Sequence, residues 1–249
     1  GDRPAPCFRR EFDVTKKVRR ARAYVTGLGY YEMTLNGKQV GDRLLDPAWT
    51  NYDQRVYYSA YDVTDLLQPG RNAVGILVGN GWYNPLPLRI FGRNLRQILA
   101  TGEPRALLQI VVEYEDGTRN TLFAYERWKV GESAIRNNSL YLGEVVDARK
   151  DPGPWARPGF DDSAWKPAIR VDAPKGADGS GRPAGHSKDP SGAVGFASAG
   201  KLHRAPTLQL RHGPNRQAVP ILRRRWRRVP RASANTTRRV SAGGKFCGP

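Results

Sequence analysis

Polar and apolar positions alternate across residues 22–26 (Arg-Ala-Tyr-Val-Thr), the two-residue period of a strand with one buried face, until Gly27 and Gly29 interrupt it. The pattern resumes over residues 30–35, breaks at Asn36-Gly37 and continues over residues 38–40. Asn-Gly between two such runs predicts a tight hairpin, because a type I′ turn needs positive φ at both central positions. Residues 55–61 form a third strand, and residues 62–67 read as one turn of helix stopped by Gln68-Pro69-Gly70. Residues 72–78 (Asn-Ala-Val-Gly-Ile-Leu-Val) are apolar almost without alternation, as in a fully buried strand. Residues 79–85 form a loop with two glycines and two large rings, and residues 86–104 carry no clear period. Residues 105–114 and 120–125 flank a second hairpin with an Asp-Gly turn. No long segment has helical spacing. Short strands separated by turn residues predict an all-β fold, an antiparallel β-sandwich or jelly roll.

That texture stops near Asp172. The chain has 249 residues and a formal net charge of +18. Residues 1–172 hold 25 Lys and Arg against 21 Asp and Glu, whereas residues 173–249 hold 16 against 2. All 11 tyrosines and five of the 6 tryptophans fall in the first stretch, and all 3 histidines (His186, His203, His212) in the second. In residues 173–249, Leu, Ile, Val and Phe number 11 of 77 residues, too few to offset a chain entropy of about 1–2 kcal/mol per residue. The reading is therefore a folded sandwich over residues 6–172, followed over 173–249 by a basic low-complexity tail, disordered or translated from a shifted frame.

Two cysteines, Cys7 and Cys247, exclude a disulfide framework, and neither they nor the histidines have metal-site spacing. No apolar run approaches the roughly 18 residues of a membrane span. No secretory leader is visible, which leaves the compartment open between cytoplasm and export. The first residue is Gly1, so an upstream segment is not excluded.

A series of blocks in order carries a resemblance: residues 8–12 (Phe-Arg-Arg-Glu-Phe), 24–31, 35–41 (Leu-Asn-Gly-Lys-Gln-Val-Gly), 45–53 (Leu-Asp-Pro-Ala-Trp-Thr-Asn-Tyr-Asp), 61–67, 79–83 (Gly-Asn-Gly-Trp-Tyr), 141–149 (Tyr-Leu-Gly-Glu-Val-Val-Asp-Ala-Arg) and 160–165 (Phe-Asp-Asp-Ser-Ala-Trp). Together they resemble the N-terminal region of bacterial α-L-rhamnosidases over roughly residues 6–172. Single blocks also resemble the galactose-binding-like jelly roll of β-galactosidase-type hydrolases. The family resemblance implies an inverting glycosidase of several domains, in which N-terminal sandwiches precede an (α/α) barrel that carries the catalytic carboxylates. It implies that the N-terminal region assists substrate recognition and packs on that barrel, and that some members bind rhamnose with help from Ca²⁺. Residues after Asp172 depart from the family pattern. No barrel is expected here, and so no hydrolysis by this chain alone.

Candidate chemistry follows these lines. An inverting glycosidase holds two carboxylates roughly 6.5–9.5 Å apart across the sugar. Asp161 with Asp162, or Glu144 with Asp147, could pair so, but the first pair reads better as caps of the turn before Trp165. Glu144, Asp147 and Arg149 belong, by the resemblance, to a domain junction. No catalytic residue is assigned. Sugars offer C–H faces to aromatic rings and hydroxyls to amides and carboxylates. Two loops have this mixture: Trp49, Asn51, Tyr52 and Asp53 in one, Asn80, Trp82, Tyr83 and Asn84 in the other. The competing reading makes Trp49 and Trp82 plugs of the sandwich ends or interdomain anchors. Asp42, Asp46, Asn51 and Asp53 supply Ca²⁺-type oxygens at a spacing that matches no strict loop code, so no cofactor is assigned. The cluster Arg223–Arg228 around Trp226 could hold nucleic acid without specificity. The expected partners are rhamnose-containing glycosides or polysaccharides and a catalytic barrel, with no specific nucleic acid and no membrane. A free-standing carbohydrate-binding module is the alternative.

Overall fold

The computed structural model describes residues 3–52, 56–87, 89–90, 92–123, 127–171, 195–197 and 202–204. All of them lie in one compact unit, Gly1–Thr207. In chain order the strands are β1 (Pro6–Val14), β2 (Val18–Leu28), β3 (Tyr30–Leu35), β4 (Lys38–Gln39), β5 (Val56–Asp62), β6 (Gly70–Gly79), β7 (Arg89–Ile90), β8 (Arg93–Asn94), β9 (Arg105–Tyr114), β10 (Arg119–Phe123), β11 (Lys129–Glu132), β12 (Ile135–Ser139), β13 (Gly143–Val146), β14 (Lys166–Pro167), β15 (Ile169–Val171), β16 (Gly195–Ala197) and β17 (Leu202–Arg204). Helix is confined, among the described residues, to the single turn α1 (Leu95–Ile98) and to 3-10 turns at Thr64–Leu66 and Ala148–Lys150.

The fold is an all-β sandwich. The front sheet has the order β14-β11-β1-β6-β3-β4 and the back sheet β15-β16-β9-β2-β5-β17, with β10 beside β9. Long ladders are antiparallel, whereas the three-residue strands β16 and β17 pair parallel with β15 and β9 and with β5. The expectation of a disordered tail falls, apart from the backbone of those two strands, outside the described residues.

Period-two alternation sends one set of side chains from each sheet into a shared core. β9 alternates without a slip, burying Ala106, Leu108, Ile110, Val112 and Tyr114. They join Ala21, Ala23 and Val25 of β2, Tyr31, Met33 and Leu35 of β3, Val74, Ile76 and Val78 of β6, and Phe8 of β1. The first hairpin forms as its sequence demands, with φ of 54° at Asn36 and 77° at Gly37. The second differs: of its central pair only Gly117 has positive φ, and its N–H bonds to the Tyr114 carbonyl while Tyr114 N–H bonds to Thr118. It is a type I turn closed by a left-handed glycine, the longer of the common hairpin solutions.

β6 is buried on both faces, because residues 151–165 cross the outer face of the front sheet as a strap before β14 joins its edge. Arg9 of β1 fastens it. Its guanidinium, 1% exposed, pairs with the carboxylates of Asp162 and Glu11. It also donates to the carbonyls of Trp155 (2.7 Å) and Arg157 (3.0 Å) and lies over the Phe160 ring (5.4 Å). Lys129 adds a second bond to Asp162 at 2.8 Å. The expected pair of turn caps therefore divides: Asp161 caps, accepting from Ser163 N–H at 3.0 Å, but Asp162 is the strap's anchor. The strap's rings, Trp155, Phe160 and Trp165, pack together over two glycines. A β-carbon on Gly75 would stand 2.5 Å from Trp155, and one on Gly131 would stand 2.3 Å from the Trp165 ring.

The strap also closes over Cys7, which is fully buried; desolvation, with the Asp151 carboxylate nearby, pushes its thiol far above the usual range. In a Cys247→Ser chain Cys7 is expected to resist Ellman's reagent under native conditions and to react once urea unfolds the protein, since the thiolate is the nucleophile. Rapid native labelling would show the strap to be open.

Candidate functional site

The start of β3, the end of β6 and the β12–β13 hairpin converge at one end of the sandwich. Gly29 turns the chain from β2 into β3 with φ of 112°, its α-carbon so close to the Gly79 carbonyl that no β-carbon fits. This close approach brings the loop after β6 against β3. Asn80 N–H then donates to the Asn138 side-chain oxygen (2.6 Å), and the Asn80 amide nitrogen donates to the Asn138 carbonyl (2.9 Å). Asn84 donates to the Asn80 side-chain oxygen (2.9 Å) and accepts from Arg96 Nη2 (2.9 Å). Arg96 belongs to the turn α1, which Asn94 caps by accepting from the Arg96 N–H.

The eight residues singled out in the two loops are thus sorted by the fold. Tyr52 and Tyr83 are buried edge to face, ring centroids 5.3 Å apart, in a small cluster with Leu28. Asn80 and Asn84 are buried and occupied by each other, by Asn138 and by Arg96. Asn51 is exposed, and Asp53 lies outside the described residues. Trp49 and Trp82 come together at the surface, centroids 5.8 Å apart, with Trp49 49% exposed. Trp82 continues to Tyr141 (5.8 Å, 83°).

The hairpin that contributes Tyr141 is the predicted junction. Here Tyr141, Leu142 (65%), Val145 (62%) and Val146 are all exposed, a density of bare apolar side chains unusual for a surface. Asp147 caps the 3-10 turn and holds Arg149 in a two-pronged pair (2.8 and 2.9 Å), which lowers the Asp147 carboxyl and raises Arg149. Glu144 is raised above the ordinary carboxylate range by desolvation and by the neighbouring Glu32. Beneath this end the Tyr52 hydroxyl and the Asn138 amide nitrogen are buried without a hydrogen-bond partner among the described residues. Sequence reasoning missed Asn138 and Arg96. Tyr141 lay in a quoted block, but nothing local signals that its ring meets Trp82.

Of the oxygen ligands considered for Ca²⁺, Asp53 lies outside the described residues and Asp46 is engaged by tyrosines. The Asp46 carboxylate accepts from the hydroxyls of Tyr31 (2.5 Å) and Tyr61 (2.8 Å). No group of three or more His, Cys, Asp or Glu gathers among the described residues, whereas Ca²⁺ takes about six to eight oxygens. Among those residues, too, no helix is long and apolar enough to cross a membrane. Arg223–Arg228 lie outside them.

Comparison with known proteins completes the picture. A family model described as the α-L-rhamnosidase N-terminal domain matches residues 16–180. An α-L-rhamnosidase of Formosa agariphila is 40% identical over 169 residues, 65% of this chain and 17% of that protein. One of Streptomyces avermitilis is 44% identical over 160 residues, 64% and 15% of the two. The solved α-L-rhamnosidase of Dictyoglumus thermophilum superposes with a TM-score of 0.61 at 42% identity, covering 70% of this chain and 18% of that one. The Streptomyces avermitilis enzyme complexed with L-rhamnose gives 0.60 at 42%, covering 66% and 16%. The chain therefore spans about a sixth of the length of the curated relatives it matches. With the sandwich and the ordered sequence blocks in agreement with these matches, the chain belongs to the α-L-rhamnosidase N-terminal domain family.

Proposed function

We propose that this chain carries the accessory module of a longer α-L-rhamnosidase. It docks on the rest of the enzyme through the face built by Trp49, Trp82, Tyr141, Leu142, Val145 and Val146. The chemistry, inverting release of terminal α-L-rhamnose from glycosides or polysaccharides, belongs to a separate (α/α) barrel. The carrying observation is that apolar face. Burying it against a partner domain would gain roughly 25 cal/mol per Å², whereas leaving it in water invites association. The orphaned Tyr52 hydroxyl and Asn138 amide beneath the same surface add support. The module boundary near Asp172 rests on the break in charge there; the family match runs on to residue 180, and the compact unit to Thr207.

A second reading is favoured by the half-exposed Trp49 ring tilted against Trp82: the pair can stack the C–H face of a sugar. Incubation of the purified chain with an aryl α-L-rhamnoside is expected to release no phenol above the buffer rate, and turnover would defeat the accessory reading. Calorimetric titration with L-rhamnose separates the two roles. Heat that disappears in Trp82→Ala assigns the rings to sugar, and silence at millimolar rhamnose leaves docking as their role.

A further inference from the structure

The outer face of the back sheet carries a groove that neither role uses. β2 turns Ala21, Ala23 and Val25 into the core and so turns Arg22 and Tyr24 outward. β9 does the same with Gln109 and Glu113, which the register sets beside Tyr24 and Arg20. Between Val18 and Arg20 the β2–β9 ladder slips by one residue, and this bulge leaves Arg19 and Arg20 both exposed. The result is a groove of about 490 Å³ lined by Arg20, Arg22, Arg119, Glu113, Tyr24 and Tyr58. That volume lies within the roughly 300–1,000 Å³ of ligand sites.

Its charges are not balanced. Glu113 is taken by Arg119 (2.7 Å) and by Arg19 (3.1 Å) from outside the groove. The nearby Asp62 spends its Oδ1 on the Thr64 N–H (3.0 Å) and hydroxyl (2.6 Å). Arg20 and Arg22 hydrogen-bond to no described residue and act on Asp62, which the β2–β5 register sets opposite Arg22, only through space; both line a groove floored by Tyr24 and Tyr58, ring centroids 6.0 Å apart and edge to face.

We propose that this groove binds an anionic saccharide, its carboxylate held by the guanidinium forks of Arg20 and Arg22 and its ring laid on the tyrosines. A guanidinium matches a carboxylate with two parallel bonds. The tyrosine rings offer an apolar face to pyranose C–H groups, and the Gln109 amide can both donate to and accept from hydroxyls. Two cations without a hydrogen-bond partner suit a sugar acid better than a nucleic acid, which needs a track of cations along its backbone. The chain's own tail, 16 basic residues against 2 acidic, has the wrong sign to fill the groove.

The test titrates the full chain with tri-galacturonate at about 0.15 M salt, following arginine Nε–H and tyrosine ring signals by NMR. Expected are saturable shifts at Arg20, Arg22, Tyr24 and Tyr58, a loss of about tenfold or more with the neutral methyl ester of the same trisaccharide, and a similar loss in Arg20→Ala/Arg22→Ala. The charge-matched control Arg227→Ala/Arg228→Ala should bind as the parent does. The proposal is overturned by equal binding of the methyl ester, by equal losses in both double variants, by no shift in the groove at about 10 mM sugar, or by an oligonucleotide of equal charge taking the groove more tightly.

Discussion

Replacing Arg9 with methionine is expected to destabilise the native state by about 3 kcal/mol, the lower end of the range for removing one partner of a buried ion pair. The lower end applies because the charges left behind keep other company. Asp162 retains Lys129, Glu11 retains the Gly159 N–H at 2.7 Å, and both carboxylates are 22–25% exposed and can rehydrate. What goes is the fork that bonds two strap carbonyls as well as two carboxylates. Urea unfolding should therefore shift its midpoint by about 1–2 M at an unchanged slope. Arg9→Lys keeps the charge but not the planar array of donors, and should recover less than half of the loss. A midpoint within about 0.2 M of the parent in Arg9→Met would mean that the strap is held by its rings alone.

Gly131→Val should destabilise by about 2 kcal/mol, in the range for forcing atoms into a filled space. The sign is the informative part. Gly131 sits within a strand at an ordinary φ, where valine normally helps, both by β preference and by restricting the unfolded chain. The penalty arises only because Trp165 lies where the new side chain must go. In a Trp165→Ala background the same substitution should be neutral or stabilising, so the double-mutant cycle yields a coupling of about 2 kcal/mol. Additive effects would contradict the seating of Trp165 on β11.

These two positions also mark where the sequence stops being readable. The two-sided apolar run of β6 announces that something covers its outer face, but the cover is a run of turns without period, and Arg9 within a strand pattern looks like an ordinary solvated charge. Its anchor Asp162 stands 153 residues away, a separation that local patterning cannot bridge. Hairpins, by contrast, are dictated by adjacent residues: Asn36-Gly37 is fully legible, and the Asp-Gly turn is legible in place though not in type. Residues 86–104 resisted reading because β7 and β8 have two residues each and α1 is a single turn, all shorter than one period of evidence. The loops were legible as a mixture of rings and amides. Which rings face water was not, since what the rest of the chain lays over Tyr52 and Tyr83, and not over Trp49, is written far from those loops.

The strap has a consequence for biosynthesis. A ribosome that adds about 5–20 residues per second releases Asp162 some 8–30 s after Arg9. For that interval the first strand has a guanidinium without its distant carboxylate, and for most of it an edge without β11. Pairing of β1 with β6 needs no late residue, but the other edge of β1 and its buried charge wait for the chain to lengthen, and an unpaired strand edge in that interval invites association.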